Sequence, residues 1–277
     1  MIDTNLILAI KSGYDAWQPP ISEAVGGLSR STDNHLIKYD DPKLDKIKTI
    51  GGWKRIVGWD LGKMRDPSAI VIIKYRLIET ARNRYYYRDP ETFQERSYCK
   101  ESCVTPVYQL IAARNYHEDY TATVQRLRTF QENQRLDNCS LVFDATGVGV
   151  AIEEQLRHLP GFQEVIGMTI TGGDGISRKN MFTSCGKTRL LSDLQQVVEQ
   201  KRIAIPDPAK LNREEKADLE QLTRQITGLQ VEETLQGYYK TIDDRKDGHH
   251  HDLMIALAMA VAWVEYQAGR YQPIIWV

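Results

Sequence analysis

A chain of 277 residues with 42% apolar side chains can build one large domain or two small ones. The formal charge of -1 gives no global basic field, and the four cysteines match no zinc-site spacing and are not needed as disulfides in a chain of this size. The longest apolar run, 253–264, is shorter than the roughly 20 residues of a membrane span. The N-terminus lacks a basic segment followed by an apolar core, so we expect neither a signal peptide nor a membrane partner, and a reduced cytoplasmic setting is the simplest interpretation.

Residues 1–52 are punctuated by turn-forming pairs such as Pro19-Pro20 and Gly51-Gly52. We expect this segment to be an arm or linker. A regular pattern of apolar runs begins at Arg55, so residues 53–277 are expected to form the main domain.

The main domain starts with strand signals and continues with alternating strands and helices. The expected strands are 56–60, 69–75, 84–88, 106–116, 140–144, 165–171 and 202–205, with a polar excursion at 89–104. The expected helices are 118–132, one after Gly149, 187–199, 214–226 and 253–264, with a flexible loop at 172–184. An early meander followed by alternation predicts an α/β fold, in which helices cover both faces of a mixed sheet.

Three acids stand in comparable contexts. Asp60 and Asp144 each end an apolar strand, and Asp252 starts the most apolar helix. If the strands are neighbours and the helix packs across their ends, the three carboxylates converge. Such a cluster repels itself unless divalent cations bind, and oxygen ligands suit Mg²⁺ or Mn²⁺. Two such ions can support phosphodiester hydrolysis.

Each acid also has a purely structural interpretation. Asp60 could cap a turn, Asp144 could be a turn acid between strand and helix, and Asp252 could be a helix N-cap. Asp66 precedes Pro67, which is more typical of a turn than of a metal ligand.

Other motifs are weaker. Tyr85 to Tyr87, flanked by Arg84 and Arg88, could steer a nucleic acid, but a strand with alternating buried and exposed rings explains the same pattern. The sequence around Gly186-Lys187-Thr188 is not a P-loop because position 181 is Met. The Gly147 and Gly149 pair lacks the third glycine of a dinucleotide site.

Taken together, four segments resemble the nuclease domain of tailed-phage terminase large subunits. They are 58–62 with 66–69, then 142–149, then 170–173, and finally His251-Asp252 before an alanine-rich helix. The order and approximate spacing also match, and the resemblance covers about residues 53–267. Leu253 stands where the family usually has a second acid.

The resemblance implies that residues 53–277 form an RNase H-like nuclease domain. It implies an endonuclease that cuts concatemeric viral DNA during genome packaging, with two Mg²⁺ or Mn²⁺ ions bound by Asp60, Asp144 and Asp252. Double-stranded DNA is the implied partner, together with a separate packaging ATPase, a small terminase subunit and a portal. The implied location is the cytoplasm of a bacterial host, with the gene carried by a phage or prophage. Lys187 falls where the family often has a lysine at a helix start, which suits a DNA phosphate.

Further positive charge for DNA is expected from local patches. These are Arg178, Lys179, Lys187 and Arg189 around the flexible loop, and Arg55 and Lys63 near the first acid. Three rival functions remain open: a resolvase or transposase-type nuclease with the same kind of fold, a non-cleaving DNA-binding or packaging assembly module, and a small-molecule phosphohydrolase.

Overall fold

The computed structural model describes most of the chain between residues 48 and 269. The described residues are 48–62, 67–88, 95–117, 120–133, 139–146, 154–156, 158, 161–179, 182–227, 231–233, 239–241 and 251–269. Most of the expected arm lies outside them, as do Lys63, Asp66 and most of the helix expected after Gly149.

Strands and helices follow one another along the chain much as the apolar pattern indicates. The strands are β1 (Lys48–Asp60), β2 (Ser68–Arg88), β3 (Glu95–Tyr116), β4 (Cys139–Asp144), β5 (Phe162–Thr171), β6 (Ile176–Lys179), β7 (Phe182–Gly186), β8 (Ile203–Ala204), β9 (Val231–Glu233) and β10 (Tyr239–Thr241). The helices are α1 (Tyr120–Asn133), α2 (Lys187–Glu199), α3 (Arg213–Thr227) and α4 (Asp252–Gly269), with a short 3-10 helix at Pro208–Lys210.

The strands from β1 to β8 form one mixed sheet in the order β6-β7-β5-β4-β1-β2-β3-β8. Strands β1, β2 and β3 are antiparallel neighbours, whereas β1, β4, β5 and β7 run parallel. A separate hairpin joins β9 and β10. The expected α/β class with a mixed sheet is confirmed.

Alternating side chains on the central strands contribute to two hydrophobic cores, one on each face of the sheet. Ile56 and Val142 belong to the large core, which also contains residues of α2, α3 and α4. Val57 and Leu141 belong to the small core, which contains residues of α1 and the buried Leu156. Helices therefore cover both faces, as the sequence pattern predicts.

Helix α4 is apolar around its whole circumference, so it must be buried on all sides. Its residues 256–264 are all buried, which confirms the core helix expected at 253–264. The helix lies directly on β1 at Gly58, where a Cβ atom would overlap the carbonyl oxygen of Ala256. Glycine at position 58 thus permits the closest approach between the sheet and α4.

Helix α3 begins with reciprocal capping bonds. The side chain of Asn212 accepts from the Glu215 N–H at 2.9 Å, and the Glu215 carboxylate accepts from the Asn212 N–H at 3.0 Å. Arg114 of β3 pairs with Glu215 at 2.8 Å and with Asp218 at 3.1 Å. The start of α3 is therefore attached to the sheet.

Two expectations about loops were wrong. The segment expected to be a flexible loop at 172–184 contains β6 and most of β7, paired as a hairpin. The segment expected to be an excursion at 89–104 contains the first half of β3, and 84–88 is the end of the long β2. These strands are polar, so they lack the apolar alternation that reveals a half-buried strand. The first strand also begins at Lys48, within the segment expected to be an arm.

Candidate active site at the carboxyl edge of the sheet

The first two acids lie next to each other at one edge of the sheet. Strands β1 and β4 are parallel, with Gly58 opposite Val142 and Trp59 opposite Phe143. Asp60 and Asp144 are the next residues on these strands. Neighbouring strands lie about 4.8 Å apart, so the two acids are adjacent on the backbone.

Both acids also belong to the same face of the sheet. Ile56 and Val142 contribute to the large core, and side chains on a strand alternate between the faces. Asp60 and Asp144, at even spacing from them, therefore lie on the face that α4 covers. Both are half-buried.

A chain of contacts connects Asp60 to helix α3. Asp60 pairs with Ala69 across β1 and β2, and Ala69 pairs with Asn115 across β2 and β3. The Asn115 side-chain amide donates to the Gln221 side-chain oxygen at 2.9 Å. Gln221 thus lies at the level of Asp60.

One turn further along α3, Gln225 reaches the start of α4. Its side-chain oxygen accepts from the Met254 N–H at 2.9 Å, and Gln225 is only 8% exposed. The first turn of α4, including Asp252, therefore lies towards the same edge as Asp60 and Asp144. The structure brings the three predicted acids to one edge of the sheet.

The structural interpretation of Asp252 was wrong in detail. The Ile255 N–H donates to the His251 carbonyl at 2.9 Å, so His251 is the N-cap residue and Asp252 is the first helical residue. A carboxylate in this position interacts favourably with the positive end of the helix dipole. Leu253, where the resemblance would place a second acid, is fully buried in the large core.

The structure shows the turn role that the sequence allows for Asp144. Its Oδ1 accepts from the Thr146 N–H at 2.7 Å, and the Thr146 hydroxyl accepts from the Ile170 N–H at 2.9 Å. These bonds tie the end of β4 to β5. A turn role and a ligand role would use the same carboxylate.

The turn after Asp60 is closed by a buried serine. The Gly62 N–H donates to the Ser68 hydroxyl at 3.2 Å, and Ser68 has no exposed surface. This bond joins the end of β1 to the start of β2 and orders the backbone beside the first acid.

Lys187 lies at the same edge as the acids. Strands β5 and β7 run parallel to β4, with Thr171 opposite Gly186, and Lys187 begins α2 immediately afterwards. At Gly186 a Cβ atom would overlap the backbone of Gly173, so this glycine permits the tight crossing before the helix. Along the strands Arg178 is level with Asp144, since Arg178 is opposite Thr183 and both Thr183 and Asp144 are opposite Met168. Lys187 lies beyond that level, at the end of β7 and two strands from β4.

Two of the other predicted cations are on β6, three strands away from β4. Arg178 pairs with Glu164 at 2.8 Å and lies 5.1 Å from the ring centre of Trp263. Lys179 is exposed on β6, which is an edge strand. Arg55 is five residues before Asp60 on β1, and its position in the alternation assigns it to the opposite face.

Arg189 is used within the protein. Its Nε donates to Asp193 at 2.7 Å, and this hydrogen bond raises the pKa of Arg189. Burial raises the pKa of Asp193, and the bond with Arg189 opposes this shift. For Asp193 burial outweighs the ion pair, since its carboxylate is 7% exposed whereas Arg189 is 40% exposed.

The cysteine near this edge is not a reactive nucleophile. Burial raises the pKa of the Cys185 thiol to about 11, so the thiolate is scarce at neutral pH.

The chemistry of the three carboxylates fits a hard divalent cation, which prefers oxygen ligands. The side chains of the three acids are, however, not arranged as a set of metal ligands. Within the part of the chain that the structure describes, no group of three or more His, Cys, Asp or Glu side chains is arranged to hold a metal ion.

Sequence reasoning missed two residues that shape this edge, Thr146 and Gln225. Gln225 lies three positions after Leu222, within the apolar stripe of α3, and a glutamine on such a face is a signal for a buried hydrogen bond. Thr146 carries no comparable signal, because a threonine after a strand is common in any turn.

No protein-family model matches this chain, and no curated protein sequence matches it. Among the helices in the described ranges, none is both long enough and apolar enough to cross a membrane.

Proposed function

We propose that this protein is a metal-dependent DNA endonuclease with an RNase H-like domain, of the kind found in terminase large subunits. The observation that supports the proposal is that Asp60 and Asp144 end adjacent parallel strands and that the first turn of α4, which contains Asp252, lies towards the same edge. The meander of β1 to β3 followed by the parallel strands β4 and β5 supports the fold assignment.

In this proposal Asp60, Asp144 and Asp252 are the residues that would hold the divalent cation. When bound, Mg²⁺ or Mn²⁺ supplies the Lewis acidity that phosphodiester hydrolysis needs. Lys187, which follows β7 two strands away from β4, binds a DNA phosphate and orients the backbone along the edge. Thr146 and Ser68 hold the two strand ends in position through the bonds described above.

The test is cleavage of supercoiled plasmid in Mn²⁺, Mg²⁺ or EDTA, with Asp60→Asn and Asp252→Asn beside the parent. We expect metal-dependent nicking by the parent and loss of cleavage of at least about 100-fold in both variants, since oriented charge at a reacting centre contributes at least that much. Calorimetric titration with Mn²⁺ should show weaker binding to both variants.

The matched control is Glu220→Gln, which removes an exposed carboxylate on α3. It should cut like the parent. Equal cleavage by Asp60→Asn and the parent would exclude this active site, whatever the effect of Glu220→Gln. A preference for four-way junctions over plain duplex would instead favour a resolvase-type nuclease.

A second candidate is a DNA-binding or packaging assembly module that does not cut. It is favoured by the use of the Asp144 carboxylate in the turn and by the absence of a ready three-ligand group among the described residues. It predicts DNA binding with no cleavage in either metal, and no change in DNA binding for Asp252→Asn.

A further inference from the structure

A cationic cluster lies on the opposite face of the sheet from the acids. Lys74 Nζ and Arg76 Cζ each lie 4.9 Å from the centre of the Trp53 ring. Trp53 is 38% exposed and is the large apolar side chain that is exposed within the described ranges. Lys74 is five positions along β2 from Ala69, the partner of Asp60, which is about 16 Å at 3.3 Å per residue.

This cluster differs in its partners from the other cations of the described residues. Other cations of the fold, such as Arg114, Arg189 and Arg202, pair with carboxylates. No carboxylate among the described residues pairs with Lys74 or Arg76. The pKa of Lys74 is lowered, first by burial and then by the positive charges of Arg55 and Arg76.

The register of β2 with β3 shows which other positions of β2 share the face of this cluster. The register with β3 is regular from Ile73 opposite Leu110 to Arg88 opposite Glu95, so alternate residues occupy one face. All the cations of β2 fall on that face, at positions Lys74, Arg76, Arg82, Arg84 and Arg88.

Acids oppose only part of this row. Glu101 is opposite Arg82 and Glu95 is opposite Arg88, whereas Cys99 is opposite Arg84. Gln109 is opposite Lys74 and Val107 is opposite Arg76, so no acid on β3 is opposite either of these two cations. Successive positions on this face are about 6.6 Å apart, which forms a linear array rather than a pocket.

We propose that this face, which we call the β2 cationic face (Trp53, Lys74 and Arg76), binds the phosphate backbone of duplex DNA. Two neighbouring cations that no described carboxylate pairs with complement neighbouring phosphates and require no particular base sequence. Trp53 acts as a positioning residue, because its ring holds the two head groups in place. This site goes beyond the proposed cleavage, since it uses neither the acids nor a metal.

The experiment measures binding of a labelled random-sequence duplex by fluorescence anisotropy, with the full chain in EDTA over a series of salt concentrations. The Lys74→Ala/Arg76→Ala double variant should bind several-fold more weakly. Its slope of log affinity against log salt should be smaller by about 2, since each lost phosphate contact removes about 0.9. The matched control is Arg213→Ala/Lys216→Ala, which removes two exposed cations from α3 and should leave the slope unchanged.

Variants of Trp53 test whether binding depends on the position of the two cations and not on their charge alone. Trp53→Ala should weaken binding without changing the number of charges, and Trp53→Phe should restore part of it. Circular dichroism checks that each variant is folded. If the double variant does not fold, the two Trp53 variants test the proposal instead, because Trp53 is partly exposed.

An unchanged affinity and slope in the double variant, or in Trp53→Ala, would overturn the proposal. Binding of anionic phospholipid vesicles without binding of duplex would also overturn it and identify a lipid surface instead. Because every measurement is made in EDTA, failure of cleavage is a separate result.

Discussion

The two ends of helix α4 are held in different ways. At its carboxyl end, Glu265 accepts from the Tyr108 hydroxyl at 2.6 Å and from Arg202 at 2.6 Å, and Arg202 also donates to the Pro106 carbonyl at 2.9 Å. At its amino end, the Met254 N–H donates to the side-chain oxygen of Gln225 at 2.9 Å.

This difference separates stability from the candidate chemistry. The carboxyl end buries a charged network whose members satisfy one another, which anchors the helix. The amino end places acids near one another at an edge, an arrangement that suits binding a cation better than it suits stability. Substitutions at the two ends should therefore have different consequences.

The largest expected effect comes from Glu265→Ala. It would leave the guanidinium of Arg202, which is 8% exposed, without its carboxylate partner. We expect a loss of about 3 kcal/mol in the free energy of unfolding, measured by urea titration. Glu199→Ala, at an exposed position on α2, is the control and should change stability by less than about 0.5 kcal/mol. A small effect of Glu265→Ala would show that the network does not anchor α4.

The next largest effect is expected from Gly58→Ala, because the added Cβ would overlap the Ala256 carbonyl and push α4 from the sheet. A loss of about 2 kcal/mol in unfolding free energy is expected for such overpacking. Gly52→Ala, on the same strand with open space around it, provides the comparison. If both variants lose the same unfolding free energy, the close contact between β1 and α4 is not as described.

Gln225→Ala should act on the amino end. It removes the acceptor of a buried N–H, which costs about 1–2 kcal/mol. Because the Met254 N–H lies in the first turn with Asp252, any nuclease activity should fall more than in Glu265→Ala, assayed under conditions where both remain folded. Thr223→Ala, also on α3, tests whether a generally weakened helix produces the same loss.

The smallest effect concerns alkaline pH. Burial, together with the Glu265 charge, raises the pKa of Tyr108 well above its ordinary value of 10.0. The folded protein therefore keeps this proton when the unfolded chain loses it, so stability is fully present below about pH 10 and falls as pH rises beyond it. Tyr108→Phe should lose about 1 kcal/mol at neutral pH and show a shallower alkaline decline by urea titration. An identical alkaline slope in the variant and the parent would contradict this assignment.

Several features were readable from the sequence because they depend on local patterns. The apolar runs that end at Asp60 and Asp144 predicted strands, and the uninterrupted apolar run 253–264 predicted a helix buried on all sides. The apolar stripe of α2 predicted its bounds, Lys187–Glu199, because the helical period is a local property. Polar strands such as β6 were not predicted, because their stability comes from pairing with a neighbouring strand.

The sequence alone determined which residues are strand ends and helix starts, and so which acids were candidates. Only the tertiary structure decided that β1 and β4 are parallel neighbours, that Gln225 holds the first turn of α4, and that Lys74 and Arg76 share the ring of Trp53. The physical reason is that strand order and helix docking depend on contacts between residues far apart in the chain. Hydrophobic periodicity records which face of an element is buried, but not which element covers it.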